Sequence, residues 1–124
     1  LQPVLRIKSN MDSGMFRPVQ LAAATALTQG THWYSQLAHV YRERRERAFE
    51  LLDRLDCTYS REQSGLFVWA RSPLDDVSPL IDQWLYEKSL FITPGHIFGE
   101  AGRPYVRISL CSPVAVFEEA IGRI

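Results

Sequence analysis

Among the residues that can do chemistry, Arg107 is the most informative, because its strand pattern sets its surroundings. In Tyr105-Val106-Arg107-Ile108-Ser109-Leu110, alternation puts Val106, Ile108 and Leu110 on one face and Tyr105, Arg107 and Ser109 on the other. A strand so rich in Val, Ile and Leu is interior, so the guanidinium sits on a partly desolvated surface. Its planar fork of donors matches a carboxylate or phosphate through two parallel hydrogen bonds. From the pattern alone, a structural ion pair with a local Asp or Glu, or an arginine on a solvated sheet face, is the favoured reading. Upstream, Gly95-His96-Ile97-Phe98-Gly99-Glu100-Ala101-Gly102 looks like a phosphate loop at first sight. It lacks a Gly-Lys-Ser/Thr ending and leads into a strand, whereas phosphate loops open a helix. Its glycines read as sharp-turn residues, and Phe98 is placed to cover a neighbouring cleft.

The other reactive residue types form no constellation. His32 and His39 are seven residues apart, about two helical turns, too far to share one ion, and His96 has no neighbouring ligand, so no metal site is expected. The two cysteines, Cys57 and Cys111, flank strands and read as small buried apolar residues rather than nucleophiles. Lys8 and Lys88, the only lysines, sit in no apolar setting that would lower their pKa. Arg42–Arg47 is basic, but interleaved glutamates make it a solvated helix face, with Glu43–Arg47 and Glu50–Arg54 as i,i+4 pairs.

These residues need elements to hold them. A short helix is expected over Phe16–Leu27, with Pro18 in its first turn, Gly30 as its stop, and an alanine-rich surface that packs on more than one face. A helix over Trp33–Leu55 follows from the stripe Tyr34, Leu37, Tyr41, Ala48, Leu52 and Leu55. At roughly 35 Å it is long enough to bridge two domains. Strands near Cys57–Ser60 and Gly65–Ala70 make a hairpin through Gln63-Ser64-Gly65. Ser78-Pro79 starts a helix carrying Leu80, Ile81, Trp84 and Leu85. A strand at Leu90–Thr93 turns at Pro94-Gly95, the Arg107 strand follows, and Ser112-Pro113 starts a last helix with Val114, Phe117, Ala120 and Ile121. From Trp33 the order is α-β-β-α-β-β-α, an α+β fold with helices packed on a small sheet.

Composition bounds the function. The 124 residues are 46% hydrophobic and 23% charged with zero formal net charge, which suits one globular domain or one domain plus part of another. Balanced charge argues against a nucleic acid or an anionic membrane as main partner. No apolar run approaches a membrane span and no signal peptide opens the chain, so a reduced, cytoplasmic setting is expected. Leu1 is not an initiator and LQPVLRIKSN begins in mid-pattern, so the chain is expected to be cut from a longer protein.

ITPGHIFGEAGRPYVRISLC resembles the C-terminal signature of the class I/II, fold type I pyridoxal-phosphate-dependent aminotransferases. GLFVWAR is similar to a small-domain strand of that family, and KSNMDSGMFRPVQLAAATAL to the segment after its cofactor-binding domain. The resemblance implies that residues 1–30 are the tail of the large cofactor-binding domain at the dimer interface. Residues 31–124 would be the C-terminal small domain, with the long bridging helix. Arg107 would bind the α-carboxylate of an amino-acid or 2-oxo-acid substrate. It would hold the Cα–H bond where pyridoxal 5'-phosphate, the electron sink, can act. Ser9, Asn10 and Ser13 would approach the partner subunit's active site in a homodimer. The lysine that anchors the cofactor, in a Ser-x-Ser-Lys-like motif, has no counterpart here, and neither has the phosphate-binding loop. The chain is therefore expected to hold no catalytic residue, to bind the cofactor poorly and to be inactive alone.

Other classes remain open on the sequence. Gly65-Leu66-Phe67-Val68-Trp69 suits a small RNA-binding module that stacks bases on aromatic rings. A plain interaction domain with a structural Arg107 is another reading. The same cofactor and fold also support decarboxylation, elimination and condensation.

Overall fold

A computed structural model describes residues 1–11 and 14–124. It divides into two compact units, Leu1–Gln36 and Leu37–Ile124. The first holds helices α1 (Gln2–Met11) and α2 (Arg17–Leu27) and the start of α3 (Thr31–Arg54). No start signal marked α1 in the sequence. Pro18 lies in the first turn of α2, where its missing N–H costs nothing. Neither α1 nor α2 buries a residue, so the expectation that the alanine-rich helix packs on several faces is not met.

The second unit carries the core. Elements β1 (Phe67–Arg71), α4 (Ser78–Lys88), β2 (Thr93–Pro94), β3 (Tyr105–Ser109) and α5 (Val114–Gly122) follow α3. Two short 3-10 turns, Gly95–Phe98 and Glu100–Gly102, link β2 to β3. The sheet is antiparallel in the order β1-β3-β2, so the Arg107 strand is central. One face is dry: Val68, Ala70, Val106 and Ile108 meet Ala48, Phe49, Leu51 and Leu52 of α3, Ile81 and Trp84 of α4, and Phe117, Ala120 and Ile121 of α5. This is the α+β fold that the sequence pattern predicts, with its other face left half-open.

Three local expectations need correction. The Cys57–Ser60 strand is only an isolated bridge, Thr58 to Arg71. Beyond it the side chain of Gln63 replaces a strand: its amide accepts from the Trp69 N–H at 2.7 Å and donates to the Trp69 carbonyl at 2.9 Å. The strand expected at Leu90–Thr93 shrinks to Thr93–Pro94, because the Leu90 N–H is spent capping α4 at the Trp84 carbonyl, behind a left-handed Ser89. Pro94 is tolerated because β2 is an edge. The order from α3 is therefore α-β-α-β-β-α.

The Arg42–Arg47 face is not wholly solvated either. Arg44 donates to the carbonyls of Leu110 (3.0 Å) and Cys111 (3.3 Å), and Arg45 donates to the Gly65 carbonyl (2.9 Å). These guanidiniums tie the ends of β3 and the β1 approach to α3. Glu50–Arg54 forms at 3.8 Å, but Arg47 turns to Glu50 and Glu118, and Glu43 faces His39.

Candidate functional site

The open face of the sheet is built by register. Trp69 lies opposite Arg107, Phe67 opposite Ser109 and Arg71 opposite Tyr105, while Thr93 flanks Arg107 from β2. Cross-strand and diagonal neighbours on one face are within reach of long and aromatic side chains. The Arg107 guanidinium accordingly lies 4.3 Å from the centroid of Phe67, its diagonal neighbour, and 4.3 Å from that of Phe98, delivered by the 3-10 turn after β2. Trp69 stacks on Tyr105 at 5.5 Å and meets Phe98 edge-on at 5.9 Å. The rings expected as a base-stacking surface are thus engaged with one another and with Arg107.

No carboxylate pairs with Arg107 among the described residues, and its Nε is buried without a hydrogen-bond partner. The structural ion pair considered for it is therefore absent there. A cation held by aromatic rings and making no hydrogen bond to the described residues keeps donors for a bidentate anion. Beside it, a crevice of about 200 Å³ is lined by Leu51, Phe91, Ile92, Thr93, Ser109, Ser112 and Phe117 among others.

The turn that carries Phe98 is fixed by two glycines. A Cβ on Gly102 would collide with the Gly95 carbonyl, and one on Gly95 would come within 2.9 Å of the Trp69 ring. Outside it, Arg103 pairs with Glu100 and, at 2.9 Å, with Asp76. Asp76 also accepts from the Ser78 hydroxyl (2.7 Å) and N–H (2.9 Å), and these bonds hold its carboxyl below the usual range. The two arginines of this segment have opposite partners: acids for Arg103, aromatic rings for Arg107.

The remaining sequence candidates lie elsewhere. Ser9 and Asn10 are exposed on α1 and bond to the Arg6 carbonyl of their own helix, at 3.1 and 2.8 Å. Ser13 lies outside the described residues. Phe98 is 52% exposed and covers the guanidinium itself. Cys57 is buried, which pushes its thiol up to about 11, with Asp56 adding to the effect. Cys111 is exposed, contrary to expectation. Its backbone is engaged, the carbonyl by Arg44 and the N–H by the Ser109 hydroxyl, and the side chain is left outside the core. Among the described residues no three His, Cys, Asp or Glu gather as a metal site, and no described helix is long and apolar enough to cross a membrane.

The residues around Arg107 do not fit pyridoxal phosphate. Lys8 is exposed on α1, and Lys88 lines a different crevice, with Arg54, Asp56 and Trp84. The described turn beside Arg107 opens a strand rather than a helix, so it is not a glycine loop at a helix N-terminus of the kind that receives a phosphate. Sequence reasoning singled out Arg107 and Phe98 but not Phe67, Trp69 and Gln63, which the structure sets beside them. The period-2 pattern of Phe67-Val68-Trp69 was a usable signal for facing, but only pairing puts those rings beside Arg107.

Residues 3–124 match the family described as aminotransferase class I and II. The chain is 36% identical over 120 residues to an LL-diaminopimelate aminotransferase of Maridesulfovibrio salexigens, covering 96% of this chain and 31% of that protein. It is 38% identical over the same length to one from Oleidesulfovibrio alaskensis, with the same coverage. A solved aminotransferase structure from Staphylococcus aureus is 31% identical and superimposes with a TM-score of 0.78, covering 98% of this chain and 33% of that one. The chain spans about a third of the length of the curated relatives it matches.

Proposed function

The chain belongs to the class I and II aminotransferase family, and from that premise we propose that it is the C-terminal substrate-binding part of an enzyme that moves an amino group from an amino acid to a 2-oxo acid. The observation that carries this reading is Arg107: a guanidinium on the open sheet face, braced by two aromatic rings, with no acid of its own. Its task is to bind the substrate α-carboxylate bidentately and so fix the orientation of the bond that reacts. Pyridoxal phosphate, the family's cofactor, supplies the electron sink when bound. The residues described here do not cradle it, so its seat is assigned to a large domain outside this chain, together with the anchoring lysine.

On this reading residues 1–30 are the tail of that large domain and 31–124 the small domain. The active enzyme is a cytoplasmic homodimer in which Ser9 and Asn10 approach the partner subunit's site. Nucleic acid and membranes are not partners. LL-diaminopimelate is the first donor to test, because it names the activity of the relatives at 36–38% identity. The test uses the cofactor-loaded full-length enzyme, offered single amino acids without an acceptor. Release of one equivalent of the matching 2-oxo acid per site is the expected result. Carbon dioxide, or ammonia with no retained amino group, would replace transamination with decarboxylation or elimination on the same fold.

A further inference from the structure

We propose that Phe67 is a positioning residue that sets the plane of the Arg107 guanidinium for a carboxylate, together with Phe98. The inference rests on the reading of Arg107 as the carboxylate-binding group. An arginine side chain has many rotamers, and ordering it on substrate binding costs affinity. Carboxylate-binding arginines are commonly held by a protein acid, which then competes with the ligand for the same donors. Here the guanidinium is held by two aromatic rings and not by an acid. Phe67 and Phe98 each lie 4.3 Å from its central carbon, and no acid pairs with it among the described residues. Aromatic contacts restrict the guanidinium without occupying its N–H donors as an acid would.

The two halves of the clamp differ in mounting. Phe98 sits on a turn that needs Gly95, Gly102 and the edge of Trp69 to hold its place. Phe67 sits on β1, hydrogen-bonded in register to the same strand that carries Arg107. It is therefore the fixed jaw, and it is still 44% exposed, more than core packing alone requires of a phenylalanine.

The test compares Phe67→Leu, Phe67→Tyr and Arg107→Gln in the cofactor-loaded full-length enzyme. Leucine keeps the apolar bulk and removes the π-face; tyrosine keeps both. The expected result for Phe67→Leu is a KM for the amino donor raised about tenfold, a kcat lowered far less, and a propionate inhibition constant raised by the same factor. Phe67→Tyr should restore all three. If Arg107→Gln weakens propionate and substrate while Phe67→Leu leaves both unchanged, the clamp is refuted and the carboxylate role stands. If Arg107→Gln itself changes neither, the carboxylate reading fails and the proposal with it. A loss in Phe67→Leu that tyrosine does not restore, or that appears in kcat alone, also overturns the proposal.

Discussion

Arg103 and Arg107 stand four residues apart and illustrate two uses of one side chain. Arg103, at the rim of the turn, is half-exposed and paired with Glu100 and Asp76. Arg107, on the central strand, is partly buried, in contact with the rings of Phe67 and Phe98, and free of acids among the described residues. The first arrangement satisfies the cation and closes a loop. The second braces the cation and leaves its donors unspent, which is what a binding group needs. Partner type, more than burial, separates the two arginines.

The comparison can be broken most directly at Arg107. Arg107→Gln should raise the KM for amino donor and oxo-acid acceptor at least about 30-fold, as expected when one side of a charged bidentate pair is removed. The melting temperature should stay nearly constant, because no protein acid is orphaned. A large loss of stability with unchanged KM would make Arg107 structural. Next in size, Gly102→Ala drives a Cβ into the Gly95 carbonyl and should cost about 1–3 kcal/mol in urea denaturation, with a rise in KM as Phe98 shifts. Stability loss without any change in KM would detach the turn from the site.

Two smaller effects sharpen the contrast on the structural side. The Cys57 thiol is raised from 9.0 to about 11 by burial, so its contribution to stability is complete below pH 9 and lost as pH rises towards 11. Cys57→Val should flatten the decline of the denaturation midpoint above pH 9, and thiol reagents should label Cys111 first. The smallest effect belongs to Arg103→Gln, a barely measurable drop in melting temperature with no change in KM, because exposed ion pairs contribute little. Its partner Asp76, held below its ordinary 3.8 chiefly by Ser78, contributes fully above that pH. That contribution disappears as pH falls through the lowered value, and Asp76→Asn should remove this acid sensitivity.

Much of the fold is legible in spacing. The alternation of Val106, Ile108 and Leu110 placed Arg107 on the opposite face, and all three are buried. The stripes of α3, α4 and α5 likewise marked Ala48, Leu52, Ile81, Trp84, Phe117 and Ile121 as core. Phe49 and Leu51 lay outside the α3 stripe yet are buried, because the sheet and α5 together enclose a wider arc of that helix than one stripe. The hairpin expected over Cys57–Ala70 is reduced to one bridge because Gln63 satisfies the Trp69 backbone with its side chain, and no periodicity reports such a substitution. Tyr34 and Leu37 belonged to the predicted stripe but remain exposed, since a stripe states where a partner would bind and not that one is present.

What the sequence determined by itself was the class of element at most positions, the face each apolar residue takes, and the family signature around Arg107. These follow from steric periodicity within one segment, which needs no knowledge of distant residues. What only the tertiary structure decided was who surrounds the guanidinium. Phe67 reaches it through strand pairing across forty residues of chain and Phe98 through a turn held by a glycine–glycine contact. Partners of this kind are chosen by register and packing between segments, and neither is written in the local order of residues.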